Sequence, residues 1–195
     1  MNYKYIDKSL QYVYENGVLK NKAGILDADK LVVFESLMVA ERLNSLLQTP
    51  IKIKNATDLL KIHKCLFQDV YDWAGKCRKV EISKSDKPFL QTQFFKQSFL
   101  YLDSLLSEYF CIEKSNKIKI ANKLAIILDV INSGHFFREG NGRTQREFIR
   151  ILALQKGYNL DLNPPENEQV YNDYMQGTKD GNIQLLEKLL SRLLK

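Results

Sequence analysis

The sequence predicts a single all-α domain, mainly helical, that carries one short β-hairpin. The chain has 195 residues, which favours one domain with a full hydrophobic core. Apolar residues recur at three- and four-residue intervals along most of it, as on the buried face of a helix. One stretch, Cys77 to Ser83, instead alternates apolar and polar side chains before the turn signal Asp86-Lys87-Pro88.

Four helices are predicted in the first two thirds of the chain, and Asp27 and Thr57 are the expected N-caps of the first two. The second helix is expected to end near Gly75. The fourth is almost uniformly apolar, which predicts a buried central helix. These helices span residues 27–47, 57–75, 93–110 and 116–131.

Three more helices are predicted after residue 143. The first ends at Gly157, and Pro164-Pro165 opens the segment that leads into the second. The last has a broad leucine-rich face. They span residues 144–156, about 166–175 and 182–194.

The composition excludes several classes of protein. Hydrophobic residues make up 45% of the chain and charged residues 27%, so a disordered chain is excluded. The longest apolar runs, such as Leu124 to Leu128, are far shorter than the ~20 residues that span a bilayer. The N-terminus lacks the apolar stretch of a secretory signal, and three cysteines cannot all pair. We therefore expect a reduced, cytoplasmic protein without membrane contact, and leave delivery into another cell open.

The net charge of +6 is concentrated in two segments. Residues 76–87 hold five basic and two acidic side chains, a local net charge of +3. Residues 138–150 hold four basic and two acidic side chains, a local net charge of +2. Each segment is explained either by a solvated basic face or by binding of a phosphate-bearing partner.

Residues 135–146 have the composition of a phosphate-binding loop at the start of a helix. Gly140 and Gly142 lie on either side of Asn141, so backbone N–H groups can converge there without Cβ obstruction. Arg143 and Arg146 are three residues apart in the first helical turn and share a face, where they can hold phosphate oxygens. A plain turn followed by a solvated arginine face remains an equal alternative from spacing alone.

A base and a metal ligand are available beside this loop. His135 ends the preceding helix, and an imidazole is suited to take a proton from a hydroxyl. Glu139 offers an oxygen ligand for Mg²⁺ held jointly with phosphates. The loop supplies no nucleophile such as Ser or Cys, so the attacking hydroxyl should belong to another molecule. A helix-capping or core histidine remains the alternative for His135.

The same twelve residues resemble the signature of the Fic family, H-x-F-x-[DE]-G-N-G-R-x-x-R, at every fixed position. The similarity extends over about residues 10–190, which implies one Fic domain over 1–195 with a motif loop at 135–146 and a β-hairpin flap at about 77–88. Phe136 stands where the family usually has proline, which leaves His135 without that restriction on its backbone.

The resemblance implies transfer of AMP from ATP to a Ser, Thr or Tyr hydroxyl of a target protein. His135 would deprotonate that hydroxyl, and Glu139 would bind the Mg²⁺ that bridges the α- and β-phosphates. Phe137 would anchor the loop in the core. The remaining motif residues would bind the phosphates: Gly140, Asn141 and Gly142 at the α- and β-phosphates, Arg143 at the β-phosphate and Arg146 at the γ-phosphate.

The flap would dock the target segment by strand addition. Its positive charge favours an acidic target surface, and a solvated hairpin is an equal alternative. His63 and the three cysteines are interpreted as structural. The residues expected to dock the target are Arg78, Lys79, Val80, Glu81, Ile82 and Ser83.

The inhibitory helix of many Fic proteins, [ST]-x-x-x-E-[GN], has no match in this chain. Only Ser104 has a glutamate at the fourth following position, Glu108, and Tyr109 follows it. We therefore expect a small antitoxin-like protein that inhibits in trans, or no inhibitor. By analogy to standalone relatives, the protein would be a toxin in a toxin–antitoxin pair that causes cell filamentation.

Two alternatives stay open. One is transfer of a different group, UMP or phosphate, although relatives that transfer the γ-phosphate carry A-N-K where this chain has Gly140-Asn141-Gly142. The other is a basic module that binds a nucleotide or nucleic acid without turnover. Direct nucleic-acid binding is not expected, because a binder needs neither a base nor a metal ligand.

Overall fold

The fold is built around one buried helix, as the sequence predicts. The computed structural model describes residues 3–6, 10–84, 87–163 and 166–195. Within these ranges the chain forms the helices α1 (Ala28–Gln48), α2 (Asp58–Phe67), α3 (Phe95–Cys111), α4 (Lys117–Gly134), α5 (Asn141–Gln155), α6 (Glu168–Asp180) and α7 (Ile183–Leu193), with a 3₁₀ turn at Thr92–Phe94.

Helix α4 is the central element. It contacts α3, α5, α6 and α7, and its inward residues, from Ile120 to Ile131, are buried. Helix α2 packs against α5 and helix α1 packs against α2, which completes the domain. Within the described ranges, no helix combines the length and the apolarity needed to cross a bilayer.

Three of these helices have a side-chain cap at the N-terminus. Asp27, Asn116 and Asn182 each accept the backbone N–H three residues further on, which satisfies one of the unpaired donors of the first turn. The predicted cap at Thr57 is wrong. Its hydroxyl donates to Asn55 at 2.6 Å, and the carboxylate of Asp58 accepts the backbone N–H groups of Lys54 and Asn55 instead.

Two helix boundaries differ from the predicted ones at positions where a glycine determines the backbone conformation. Helix α5 begins at Asn141, three residues before the predicted start, because Gly140 at φ +80° forms its N-cap. Helix α6 continues beyond the predicted Met175 to Asp180 and ends at Gly181. The predicted start signal Pro164-Pro165 lies outside the described residues.

The predicted hairpin forms the strands β2 (Glu81–Lys84) and β3 (Lys87–Pro88), and Ser85 and Asp86 between them lie outside the described residues. A third strand, β1 (Tyr3–Ile6), pairs antiparallel with the other edge of β2, so that the order is β1-β2-β3. The sequence analysis did not predict β1, because its pairing with residues about eighty positions away leaves no local pattern. Val80 and Ile82 pack with Tyr12 in a small apolar cluster under the sheet.

Candidate active site

The motif loop begins with a backbone turn at the end of α4. His135 lies in the left-handed region at φ 41° and ψ 55°, and its N–H still donates to the carbonyl of Ile131 at 3.1 Å. A residue with a Cβ atom seldom adopts this conformation, so the contacts around it must hold it. The turn directs the loop away from the helix axis and into a cleft of about 1580 Å³.

Two consecutive phenylalanines fix the loop to the core, and each is 1% exposed. The Phe137 ring stacks on His63 at 3.8 Å between ring centroids. The Phe136 ring packs against Phe95 and Phe99 and lies so close to Gly134 that a Cβ there would be 2.4 Å from it. Phe136, which stands where the motif usually has proline, is therefore a core residue.

Asn141 binds the loop to itself. Its side-chain oxygen accepts the N–H of Phe137 at 2.9 Å, and its side-chain nitrogen donates to the Phe137 carbonyl at 2.8 Å. Asn141 is only 7% exposed, and its side-chain amide holds the loop together through these two hydrogen bonds. The groups of this loop that are suited to an anion are therefore the main-chain N–H groups of the first turn of α5.

Gly140 and Gly142 lie at that helix start, and α5 has no side-chain N-cap. A Cβ on Gly140 would meet the Phe67 ring at 2.3 Å, so only glycine fits this approach. The Glu139 carboxylate accepts the Gly140 N–H at 3.0 Å and lines the cleft. The first-turn N–H groups of a helix form a site suited to phosphate.

The two motif arginines have different surroundings. Arg143 pairs with Glu35 of α1 at 2.5 Å, and its guanidinium lies 4.7 Å from the centroid of the Phe67 ring. Tyr71 donates to the other oxygen of Glu35, and burial raises the pKa of that phenol. Arg143 is therefore held in place from α1 and α2.

Arg146 lies over two tyrosine rings of α6, 5.6 Å from the centroid of Tyr171 and 5.5 Å from that of Tyr174. In the part of the chain that the structure describes, no carboxylate forms an ion pair with it. Both arginines line the cleft, and Arg146 is available there for an anionic ligand.

His63 supports the loop from below. The Gly75 N–H donates to its Nδ1 at 2.8 Å, which places the ring proton on Nε2, and Nε2–H donates to the Glu139 carbonyl at 3.0 Å. The residue has no exposed surface, and burial lowers the pKa of His63 to about 3, with a further lowering by the Arg143 charge. His63 therefore stays neutral at physiological pH.

His63 predicts a loss of stability in acid. Below pH 6.5 the unfolded chain protonates this imidazole and the folded chain does not, so stability falls as pH falls from 6.5 towards 3, by ~1.4 kcal/mol per pH unit. The variant His63→Gln lacks this titration. We expect it to be less stable than wild type near neutrality, with a gap that narrows by about 2 kcal/mol between pH 7 and pH 5. Urea unfolding at several pH values measures the gap, and a gap that stays constant would contradict the account.

The flap closes the cleft over His135. The Phe89 ring, just after β3, stacks on the imidazole at 3.8 Å between centroids and 15° between planes. Arg78, Val80 and Ile82 are 2%, 7% and 3% exposed, so these three side chains are not free to touch a docked segment. Lys79 is exposed, and Glu81 binds Thr92 through its carboxylate.

Sequence reasoning missed Glu35, Tyr71 and the tyrosines of α6. Glu35 and Arg143 are 108 positions apart, and neither α1 nor α6 carries a motif. The only available signal was the acidic residue on an otherwise apolar helix face at Glu35.

The chain is similar to known proteins in sequence. Residues 53–153 match the model of the Fic/DOC family. The chain is 34% identical to "Protein adenylyltransferase VbhT" of Bartonella schoenbuchensis over 92% of its length, although it spans only 38% of that longer protein. It is 31% identical to "Probable protein adenylyltransferase y4lH" of Sinorhizobium fredii, covering 91% of each chain.

A solved structure is also similar. The N-terminal Fic domain of a putative cell filamentation protein from Bartonella quintana, with bound ADP, superposes with a TM-score of 0.81 at 25% identity and covers 94% of each chain. The fold and the site together define a class of protein: a helical domain in which the imidazole, glycines and arginines of one loop and helix start line the same cleft. The chain belongs to the Fic/DOC family.

Proposed function

We propose that this protein transfers AMP from ATP to a hydroxyl group of a target protein. The observation that carries the proposal is the cleft in which His135, the start of α5 and both motif arginines face one another. Two further findings support it: the similar relatives are named adenylyltransferases, and the similar Fic domain was solved with ADP.

In the proposed reaction the target hydroxyl oxygen attacks the α-phosphorus of ATP. The hydroxyl proton passes to His135, the bond between the α-phosphorus and the bridging oxygen breaks, and pyrophosphate leaves. The N–H groups at the start of α5 stabilise the charge that develops on the phosphate oxygens. Arg143, already fixed by Glu35, binds the β-phosphate side, and Arg146 binds the γ-phosphate and so selects which end of ATP is presented.

Magnesium fits this site as an ion that arrives with the nucleotide. Among the described residues, no group of three or more His, Cys, Asp or Glu side chains is arranged to hold a metal. Mg²⁺ commonly binds one or two carboxylates and completes its shell with phosphates and water, and Glu139 supplies one carboxylate beside the loop. Bound there, Mg²⁺ would neutralise charge on the α- and β-phosphates.

The target segment is proposed to add to the flap along β3. Strand β2 lies between β1 and β3, so both of its edges are occupied. The outer edge of β3 is next to Phe89, which stacks on His135, and Pro88 and Phe89 line the cleft. A segment paired there would present its hydroxyl to the imidazole, and the exposed Lys79 favours an acidic neighbourhood in the target.

We further propose that inhibition comes from a separate small protein that acts in trans. Arg146 forms no ion pair with a carboxylate in the described ranges, so the chain itself supplies no acidic competitor for the γ-phosphate there. We further propose that the protein acts in a cytoplasm, because Cys65, Cys77 and Cys111 are free thiols and such thiols persist in a reducing compartment.

The proposal is tested by parallel reactions with α-labelled and γ-labelled ATP, Mg²⁺ and a bacterial lysate that supplies the target. We expect a protein band labelled from the α-phosphate only, because pyrophosphate carries the γ-label away. Label from the γ-phosphate alone would replace the proposal with phosphate transfer. No label from either nucleotide, with folded protein and intact nucleotide, would favour a binding module.

A further inference from the structure

Arg78 is a buried cation that joins the flap to the motif loop. We infer that Arg78 is a positioning residue for His135, which holds the left-handed backbone of the base and couples it to the flap. The catalytic part of this inference rests on the proposed function, and the coupling itself does not.

The guanidinium contacts both elements. On the loop side, Nε donates to the His135 carbonyl at 2.8 Å and Nη2 lies 3.5 Å from the Gly134 carbonyl. On the flap side, Nη1 donates to the Val80 carbonyl and Nη2 to the Leu90 carbonyl, both at 2.6 Å. The Arg78 main-chain N–H adds a bond to the Phe136 carbonyl at 2.8 Å.

Burying the guanidinium costs free energy unless all of its N–H donors are hydrogen-bonded. A buried charge needs partners for each of its donors, and the five N–H groups of Arg78 meet four carbonyls and the Glu81 carboxylate, which is 3.3 Å away. That carboxylate is itself fixed by Thr92, and the Phe95 ring lies under the guanidinium at 4.9 Å. Burial lowers the pKa of Arg78, and the neighbouring Glu81 carboxylate opposes that lowering.

The contacts of the Arg78 side chain and main chain with the loop and the flap form a clamp, and the loop has a particular need for it. His135 is held at φ 41°, and Phe136 follows it in place of a proline that would restrict its backbone. A carbonyl–guanidinium bond on His135 itself and a main-chain bond on Phe136 supply that constraint from outside. The Phe89 ring stacked on the imidazole adjoins Leu90, whose carbonyl binds the same guanidinium.

The phosphate-binding residues are independent of this clamp, since Arg78 contacts none of Gly140, Arg143 and Arg146 in the described structure. Loss of the clamp should therefore displace the base without removing the nucleotide site. Small misplacements of a reacting group lower kcat strongly while ground-state binding is retained.

The test compares Arg78→Lys and Arg78→Met with Lys76→Met, which removes an exposed cation two positions away. The first readout, hydrogen exchange of the amides at 134–137, needs no activity. We expect exchange about tenfold faster in both Arg78 variants and unchanged in Lys76→Met. Unchanged exchange in folded Arg78→Lys would overturn the inference, and that variant decides if Arg78→Met fails to fold.

The second readout is the kinetics of α-label transfer. We expect kcat to fall by roughly 10–100-fold in Arg78→Lys, with KM for ATP within about twofold of wild type. A general structural defect would change both parameters or lower the folded fraction, and equal changes in kcat and KM would overturn the positioning role. If wild type transfers no label while loop exchange still responds to Arg78, the proposed function fails and the clamp stands.

Discussion

Replacing His135 with alanine is expected to lower the rate of AMP transfer by about 10²–10⁴-fold, the contribution of a general base. The imidazole faces the cleft next to the start of α5, and no second histidine can replace it, since His63 is buried and hydrogen-bonded at both ring nitrogens. Single-turnover label transfer at saturating ATP measures the effect.

Nucleotide affinity of the same variant is the control for this result. Arg143, Arg146 and the N–H groups of α5 are unchanged in His135→Ala, so ATP binding measured by calorimetry should stay within a few-fold of wild type. A variant that binds ATP normally and transfers AMP within tenfold of wild type would remove His135 from the mechanism.

Substituting Gly140 with alanine is expected to cost about 2–5 kcal/mol of folding stability, the sum of a left-handed backbone for alanine and overpacking of the core. The new Cβ would lie 2.3 Å from the Phe67 ring, at φ +80°. Because Phe67 also lies against Arg143, relief of this clash should move the motif loop and lower ATP affinity as well. Thermal and urea unfolding measure the stability.

Gly142→Ala is the matched control for this substitution. Gly142 is helical, and a Cβ there would meet only the Arg146 side-chain nitrogen, at 3.3 Å. We expect its stability to be near that of wild type, since alanine is a better helix former than glycine. Equal losses of stability in the two variants would contradict the steric account of the loop.

The sequence analysis was most successful where information is local. The cap at Asp27 and the glycine-flanked loop depend on neighbours within four residues, and both the helical fold and the hairpin could be read from periodicity. The cap at Thr57 failed because its hydroxyl donates to the Asn55 side chain instead of accepting an N–H of the first helical turn.

Long-range contacts account for what could not be predicted. Arg78 was expected to face a target, yet its guanidinium is buried against carbonyls 56 and 57 positions away. The pairing of Arg143 with Glu35 was missed, because the two residues are 108 positions apart. In both cases the partners were set by packing that no local pattern encodes.

The most direct test of the central claim is the mass of the group attached to the modified target. The target band from a reaction with wild-type protein, ATP and Mg²⁺ is digested and its peptides are sequenced by tandem mass spectrometry. The account predicts one adenosine monophosphate on a hydroxyl side chain, absent from the parallel reaction with His135→Ala. A phosphate in place of AMP, or AMP added equally by both proteins, would contradict it.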